Sequence, residues 1–144
     1  MLSNTSKYAI RAMIYLSLNA SGDLKIGIKK VSGDLNIPSP FLAKILQVLA
    51  RHKLLSSTKG PNGGFGLSRD PGKITLHEIV TIIDGNDIFD KCLISMRSCN
   101  EEGIPCPVHA RYEPIREEIR RLFMELTVGK LAQDIHSQDR IIAL

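Results

Sequence analysis

The stretch SPFLAKILQVLARHKLLSSTKGPNGGFGLS, residues 39–68, decides the fold. Leu42, Ile45, Leu46 and Leu49 stand at the i, i+3, i+4, i+7 spacing of a buried helical stripe. Ser39 has an N-cap side chain, and Pro40 suits the first helical position, where its missing N–H costs nothing. Ala43, Lys44, Gln47 and Arg51 are left on the outward face. Leu54 to Lys59 then reads as a strand, Gly60-Pro61-Asn62-Gly63-Gly64 as a turn, and Phe65 to Ser68 as a returning strand.

Two further helices precede this unit. From Thr5 to about Asn19, Ala9, Ile10, Met13, Ile14 and Leu16 recur at helical spacing, with Ser3 and Thr5 as N-cap candidates. Gly22 and Asp23 break the pattern. Ile28, Val31 and Leu35 then mark a short second helix that stops at Asn36-Ile37-Pro38. Three helices followed by a β-hairpin is the order of a winged helix-turn-helix. The fold class expected is therefore mainly α with a small β-hairpin: a winged helix-turn-helix domain over residues 1–72, then a linker helix, a cysteine loop and a long dimerisation helix over 73–144.

A helix lying in the DNA major groove needs short residues at its start to approach base edges, amides or guanidiniums to read them, and cations for phosphate. Ser39, Pro40, Lys44, Gln47 and Arg51 meet those demands. The hairpin would lie along the backbone, with Ser57, Lys59, Gly63 and Gly64 as its contacts. An ordinary helical hairpin with a solvated face accounts for the helices but not for the wing. A nucleotide-phosphate loop does not fit, because the glycines lead into a strand and lack the G-x-x-x-x-G-K-S/T order.

Composition agrees with this. A chain of 144 residues is one compact domain, or a small one with an appendage, which excludes a large multidomain enzyme. With 43% hydrophobic and 24% charged residues it can bury a core. The net charge of +4 hides an asymmetry: residues 1–72 carry ten Lys/Arg against three Asp/Glu, whereas residues 73–144 carry nine against twelve. A basic half joined to an acidic half suits a nucleic-acid-binding unit attached to a sensing or oligomerising one. No apolar run approaches the ~18 residues of a membrane span and no secretion signal is expected, so the compartment expected is the cytoplasm.

In the second half, Thr75-Leu76-His77-Glu78 is a capping box opening a helix through Ile83, which Gly85 ends. His77 reads as a surface residue. From Asn86 to Pro107 there is no sustained periodicity, and Cys92, Cys99, Cys106 and His109 follow there as C-x6-C-x6-C-x2-H. Irregular backbone lets distant sulfurs converge and gives them N–H donors. Soft thiolates with an imidazole suit an iron–sulfur cluster or zinc. Structural zinc sites usually present C-x2-4-C pairs, which are absent, and three unrelated thiols would more often hide in an apolar core.

Val108, Tyr112, Ile115, Ile119, Leu122 and Leu126 then repeat as a coiled-coil seam widened by Phe123, suited to a second copy of the chain or to its own winged helix. Pro114 leaves two starts open, one at Pro114 itself with Glu113 as cap and one near Pro107 with a bend. Leu131 to Ile135 reads as one last short helix.

The opening SKYAIRAM, the wing LLSSTKGPNGGFGL, the ITLHEIV helix and the three-cysteine loop together resemble the IscR/NsrR-type winged-helix transcriptional regulators of bacteria, over almost the whole chain. That resemblance implies a DNA-binding regulator, a repressor, acting as a homodimer on a palindromic operator in double-stranded DNA, without catalysis. It also implies a cluster held by Cys92, Cys99 and Cys106, with His109 as fourth ligand in the two-iron, two-sulfur branch. A four-iron, four-sulfur cluster is the other arrangement, and the apo form carries neither. The loops here are x6 where that branch has x5. Lys7 stands where the nitric-oxide-sensing branch has an Asp, and Ala43 where many members have a Glu. A regulator of the same fold using zinc or reversible thiol oxidation is the alternative. A small redox protein is a further one, against which stand the missing C-x-x-C pair and nucleotide fingerprint.

Overall fold

The computed structural model describes residues 1–98 and 106–138. Helix α1 (Asn4–Asn19) is capped by Ser3, whose Oγ accepts from Ser6 N–H at 3.0 Å. Its Ala9, Ala12, Met13 and Leu16 are fully buried, and the other elements assemble around them. Helix α2 (Ile28–Leu35) buries Val31 and Leu35 and ends at Asn36, which turns left-handed at φ 54°. Asn tolerates that conformation where most residues do not.

Helix α3 (Ser39–Arg51) buries the four leucine and isoleucine positions expected. Its start differs by one residue. Pro38 is the cap, its carbonyl accepting from Phe41 and Leu42 N–H at 3.1 and 2.9 Å, so Ser39 and Pro40 lie inside the first turn. Pro loses nothing there either, since the first four N–H groups have no intrahelical partner. The helix stops where Lys53 turns left-handed (φ 62°) and Leu54 N–H reaches back to the Leu49 carbonyl at 3.0 Å.

Strands β1 (Leu55–Thr58) and β2 (Gly64–Leu67) form the antiparallel wing, with Leu55 opposite Leu67 and Thr58 opposite Gly64. A third rung joins them, because Ile26 and Phe65 exchange both backbone hydrogen bonds at 2.9 and 2.8 Å. This anchors the wing to the segment between α1 and α2.

A 3-10 turn (Pro71–Lys73) leads to α4 (Leu76–Asp84), where Thr75 Oγ1 accepts from Glu78 N–H at 3.1 Å. Half of the capping box therefore forms. Glu78 itself turns to Arg69, in a two-pronged pair at 2.8 Å for each bond. Asp84 at the other end accepts from Ser3 N–H, Ser3 Oγ and Ser6 Oγ, tying α4 to the start of α1.

Helix α5 (Asp87–Asp90) is one turn, and α6 (His109–Glu125) runs through Pro114. The later of the two starts is thus excluded: the helix begins near Pro107 and carries His109 in its first turn. Helix α7 (Val128–Gln138) is longer than expected and packs on α1 and the 3-10 turn, with Val128 and Ala132 buried. Its Gly129 lies so close to Gly72 that a Cβ would sit 2.8 Å from the Gly72 nitrogen. Backbone bonds from Leu76 to Leu126 and from Val128 to Ile74, at 3.0 and 2.9 Å, clip the α6–α7 junction to the exit of the wing. Among the described residues, no helix is long and apolar enough to cross a membrane.

Candidate nucleic-acid interface and cysteine site

Burying Leu42, Ile45, Leu46 and Leu49 forces the opposite face of α3 outward. Pro40, Lys44, Gln47 and Arg51, spaced i, i+4, i+7, i+11, form one exposed stripe there, and Ser39 is half-buried at its start. Ala43 is half-buried beside the stripe. Neither Lys44 nor Arg51 is in an ion pair among the described residues, so both charges face outward. The stripe ends one turn before the wing, which exposes Ser57 and Lys59.

The wing glycines have a structural reason that the sequence concealed. A Cβ on Gly63 would lie 2.1 Å from the Thr58 carbonyl oxygen, and one on Gly64 would lie 2.3 Å from that of Ile26. Both are needed for the turn and for the third rung, whatever they do toward phosphate. Lys25, which sequence reasoning passed over, donates from Nζ to Thr58 Oγ1 at 2.5 Å and adds a cation at the base of the wing. Only the fold brings it there; no local pattern marks it.

Cys92 and Cys106 are separated by 14 residues, yet their Sγ atoms approach to 3.0 Å, and both are half-buried. Cys92 follows α5 and lies in a small antiparallel turn, where Lys91 bridges Ser98 and Cys92 N–H donates to the Arg97 carbonyl at 3.3 Å. Cys106 immediately precedes α6, and its carbonyl accepts from His109 N–H at 2.9 Å. The shared thiol hydrogen bond with Cys92, aided by burial, pushes the Cys106 thiol above its ordinary pKa. His109 Nε2 pairs with Glu113 at 3.1 Å. Cys99 lies outside the described residues. Among those described, no group of three or more metal-ligating side chains converges. A cleft of about 440 Å³ between the start of α1, α5 and α6 has Cys92 in its wall, with Ser3, Asp84, Tyr112 and Ile119. His77 is not simply a surface residue: its ring stacks on Phe89 at 4.5 Å.

The sequence matches, over residues 2–134, a family described as Rrf2, iron-dependent transcriptional regulator. The chain belongs to the Rrf2 family. A relative from Aquifex aeolicus, described as an HTH-type transcriptional regulator, is 33% identical over 132 residues, covering 91% of this chain and 90% of the relative. The HTH-type transcriptional regulator IscR of Klebsiella pneumoniae is 26% identical over 133 residues, covering 92% and 80%. In structure, the chain resembles CymR, the global cysteine regulator of B. subtilis, with TM-score 0.78 and 21% identity over 93% of this chain and 97% of the other. It also resembles T. potens IscR, with TM-score 0.77 and 18% identity over 99% and 93%. This Rrf2 chain is thus a transcriptional regulator and not an enzyme, and its fold is that of the winged-helix members.

The donors described are of a kind that binds iron, which the family's description names. Two soft thiols already converge, partly open to solvent, and an imidazole stands one turn away on α6.

Proposed function

We propose that this Rrf2 protein is a homodimeric repressor that binds a palindromic operator in double-stranded DNA, with an affinity set by the state of its cysteine loop. The observation that carries the DNA reading is the α3 stripe, an exposed row of amide and cation beside a hydroxyl-bearing wing, all in the basic half of the chain. Gln47 has the amide that pairs with an adenine edge, whereas Lys44 and Arg51 suit phosphate or guanine. Ser39 and Pro40 let the start of α3 approach the groove floor, and Ser57, Lys59, Gly63 and Gly64 place the wing along the backbone.

Residues 1–72 carry these contacts in this reading. Residues 73–144 sense and dimerise. The α6 seam supports dimerisation, because Ile115 and Leu122 are 57% and 51% exposed while Arg116 on the neighbouring face is buried. A second copy of α6 would cover that seam and set the separation of the two recognition helices.

Cys92, Cys99 and Cys106, with His109 as the fourth ligand, are the residues that would hold an iron–sulfur cluster, two-iron in preference to four-iron. When bound, such a group supplies a centre whose stability responds to iron supply, oxidants and nitric oxide. The chain's own part is to hold the Cys92 turn and the Cys106 approach to α6 in one arrangement when ligated and to release them otherwise. Control requires that the operator distinguish two dimer states, and such couplings are typically ~1–3 kcal/mol.

Anaerobic purification, followed by visible absorption and by iron and sulfide assays, tests the cluster. Colour with stoichiometric iron supports it. A colourless, iron-free protein whose DNA binding still follows thiol oxidation supports the second reading, control by the thiols themselves. The observation favouring that reading is the 3.0 Å approach of Cys92 to Cys106.

A further inference from the structure

Helix α6 packs Phe123 against the core, yet it also exposes apolar side chains and buries a cation. Its Ile115 and Leu122 face outward, while Arg116 is only 2% exposed. Arg116 passes beside the Tyr112 ring, 5.9 Å from its centroid, and its Nη1 reaches the Asp90 carbonyl at 3.4 Å. One turn further on, Arg120 Nη2 donates to the Phe89 carbonyl at 2.5 Å and to Asp90 Oδ1 at 2.9 Å. Two guanidiniums therefore converge on the last two residues of α5.

Helix α5 has four residues and cannot sustain itself. Its terminal carbonyls lack helical partners, and cations are favourable at such an end. The Phe89 side chain is buried between His77 of α4, at 4.5 Å, and Phe123 of α6, at 5.6 Å. Cys92 comes two residues after Asp90. The other thiol, Cys106, is fastened to the start of the same α6 through His109 N–H. Both sulfurs are thus referenced to one helix, one through its first turn and one through its arginines.

We propose that Arg116 and Arg120 are positioning residues: they bind the end of α5 to α6, hold Cys92 opposite Cys106, and thereby couple the thiol loop to the helix that carries the exposed seam. The coupling half rests on the control reading above, whereas the positioning half stands without it.

The test uses the full chain with Cys99→Ser, equilibrated in mixtures of reduced and oxidised glutathione. The dithiol and one oxidised glutathione give the Cys92–Cys106 disulfide and two reduced glutathiones, so the equilibrium reads the effective concentration of one thiol at the other. Arg120→Ala is expected to lower that concentration at least about tenfold, and Asp90→Asn to lower it by a smaller factor. Arg120→Lys, which keeps the charge but not the fork, is expected to fall between parent and Ala. Arg121→Ala, whose partner Glu118 is on the surface, serves as control and should stay within about twofold of the parent. A purely structural role would lower the melting temperature of Arg120→Ala while leaving the effective concentration at the parent value, and that result overturns the proposal. Arg116→Lys repeats the measurement at the buried site, keeping the charge but not the fork, and is expected to fall below the parent.

Operator affinity is then compared between the dithiol and disulfide forms. The ratio in Arg120→Ala should move toward one, and a ratio unchanged from a parent that does discriminate overturns the coupling. A parent ratio of one is failure of the control reading, and the glutathione equilibrium still decides the positioning.

Discussion

Lys44 and Gln47 are one turn apart on the same face of α3, yet their chemistry assigns them different measurable signatures. An ammonium on phosphate contributes sequence-independent affinity through counterion release, so Lys44→Ala or Arg51→Ala should weaken binding to all duplexes and flatten the log–log salt slope by about one each. An amide on a base edge contributes discrimination, about 1–3 kcal/mol at one position, so Gln47→Ala should narrow the gap between the best and second-best operators. Fluorescence anisotropy titrations across salt concentrations and operator variants check both. These positions were legible in the sequence because burying Leu42, Ile45, Leu46 and Leu49 at helical period leaves their opposite face no other place to go. Gly63 and Gly64 were legible as special positions but for an incomplete reason. Their nearest obstacles are the carbonyls of Thr58 and Ile26, which only the folded hairpin brings there. Gly63→Ala is therefore expected to destabilise the wing by about 1–3 kcal/mol, measured as a fall in denaturant midpoint with no DNA present.

Between elements, the Asp84 carboxylate joins the end of α4 to the cap of α1. Burial pushes its carboxyl up, but hydrogen bonds from Ser3 and Ser6 outweigh that and hold it below the ordinary carboxylate value. A depressed folded-state pKa stabilises above the unfolded value, about 3.9, and that contribution is lost as pH falls through the folded value. Ser6→Ala removes one donor and should cost about 1 kcal/mol near neutral pH. The difference from the parent should shrink below about pH 3.9, which urea titrations at several pH values can follow.

Helices α1 to α4 and both strands fell within one or two residues of their sequence reading, because caps and periodicity mark them. Features that depend on single residues or distant partners did not. The Ile26–Phe65 rung is one residue long, Lys53 adopts a left-handed turn without being Gly or Asn, and α7 extends beyond Leu131–Ile135 because Val128 and a bare Gly129 dock its first turn against the core and the 3-10 turn. Pro114 sits within α6, where it has no N–H to donate to the preceding turn, so the proline marked a boundary in the sequence that the helix runs through.

At the scale of the molecule, the charge asymmetry suggested a gripping half and a sensing half, but α7 returns to pack on α1, so the two stretches of sequence share one core. A change at the α6–α7 junction has a short mechanical route to the winged helix through the 74–76 and 126–128 backbone clip. Of the seam, Ile115 and Leu122 stay exposed on α6. Ile115→Asp with Leu122→Asp should convert a dimer to monomers in sedimentation velocity and reduce operator affinity at least about tenfold, with little loss of monomer stability since both side chains are already about half exposed.

In the function proposed above, the cysteine loop sets how well the winged helices fit DNA. The direct measurement is the dissociation constant for a duplex selected from a random-sequence pool, taken anaerobically with the cluster-loaded protein, the cluster-free protein and the Cys92→Ser variant. The loaded and cluster-free forms are expected to differ by about 5- to 150-fold, the span of typical couplings, and Cys92→Ser to behave as the cluster-free form under all conditions. Equal affinity of all three for the selected duplex, or no selectable duplex at low salt, would contradict it.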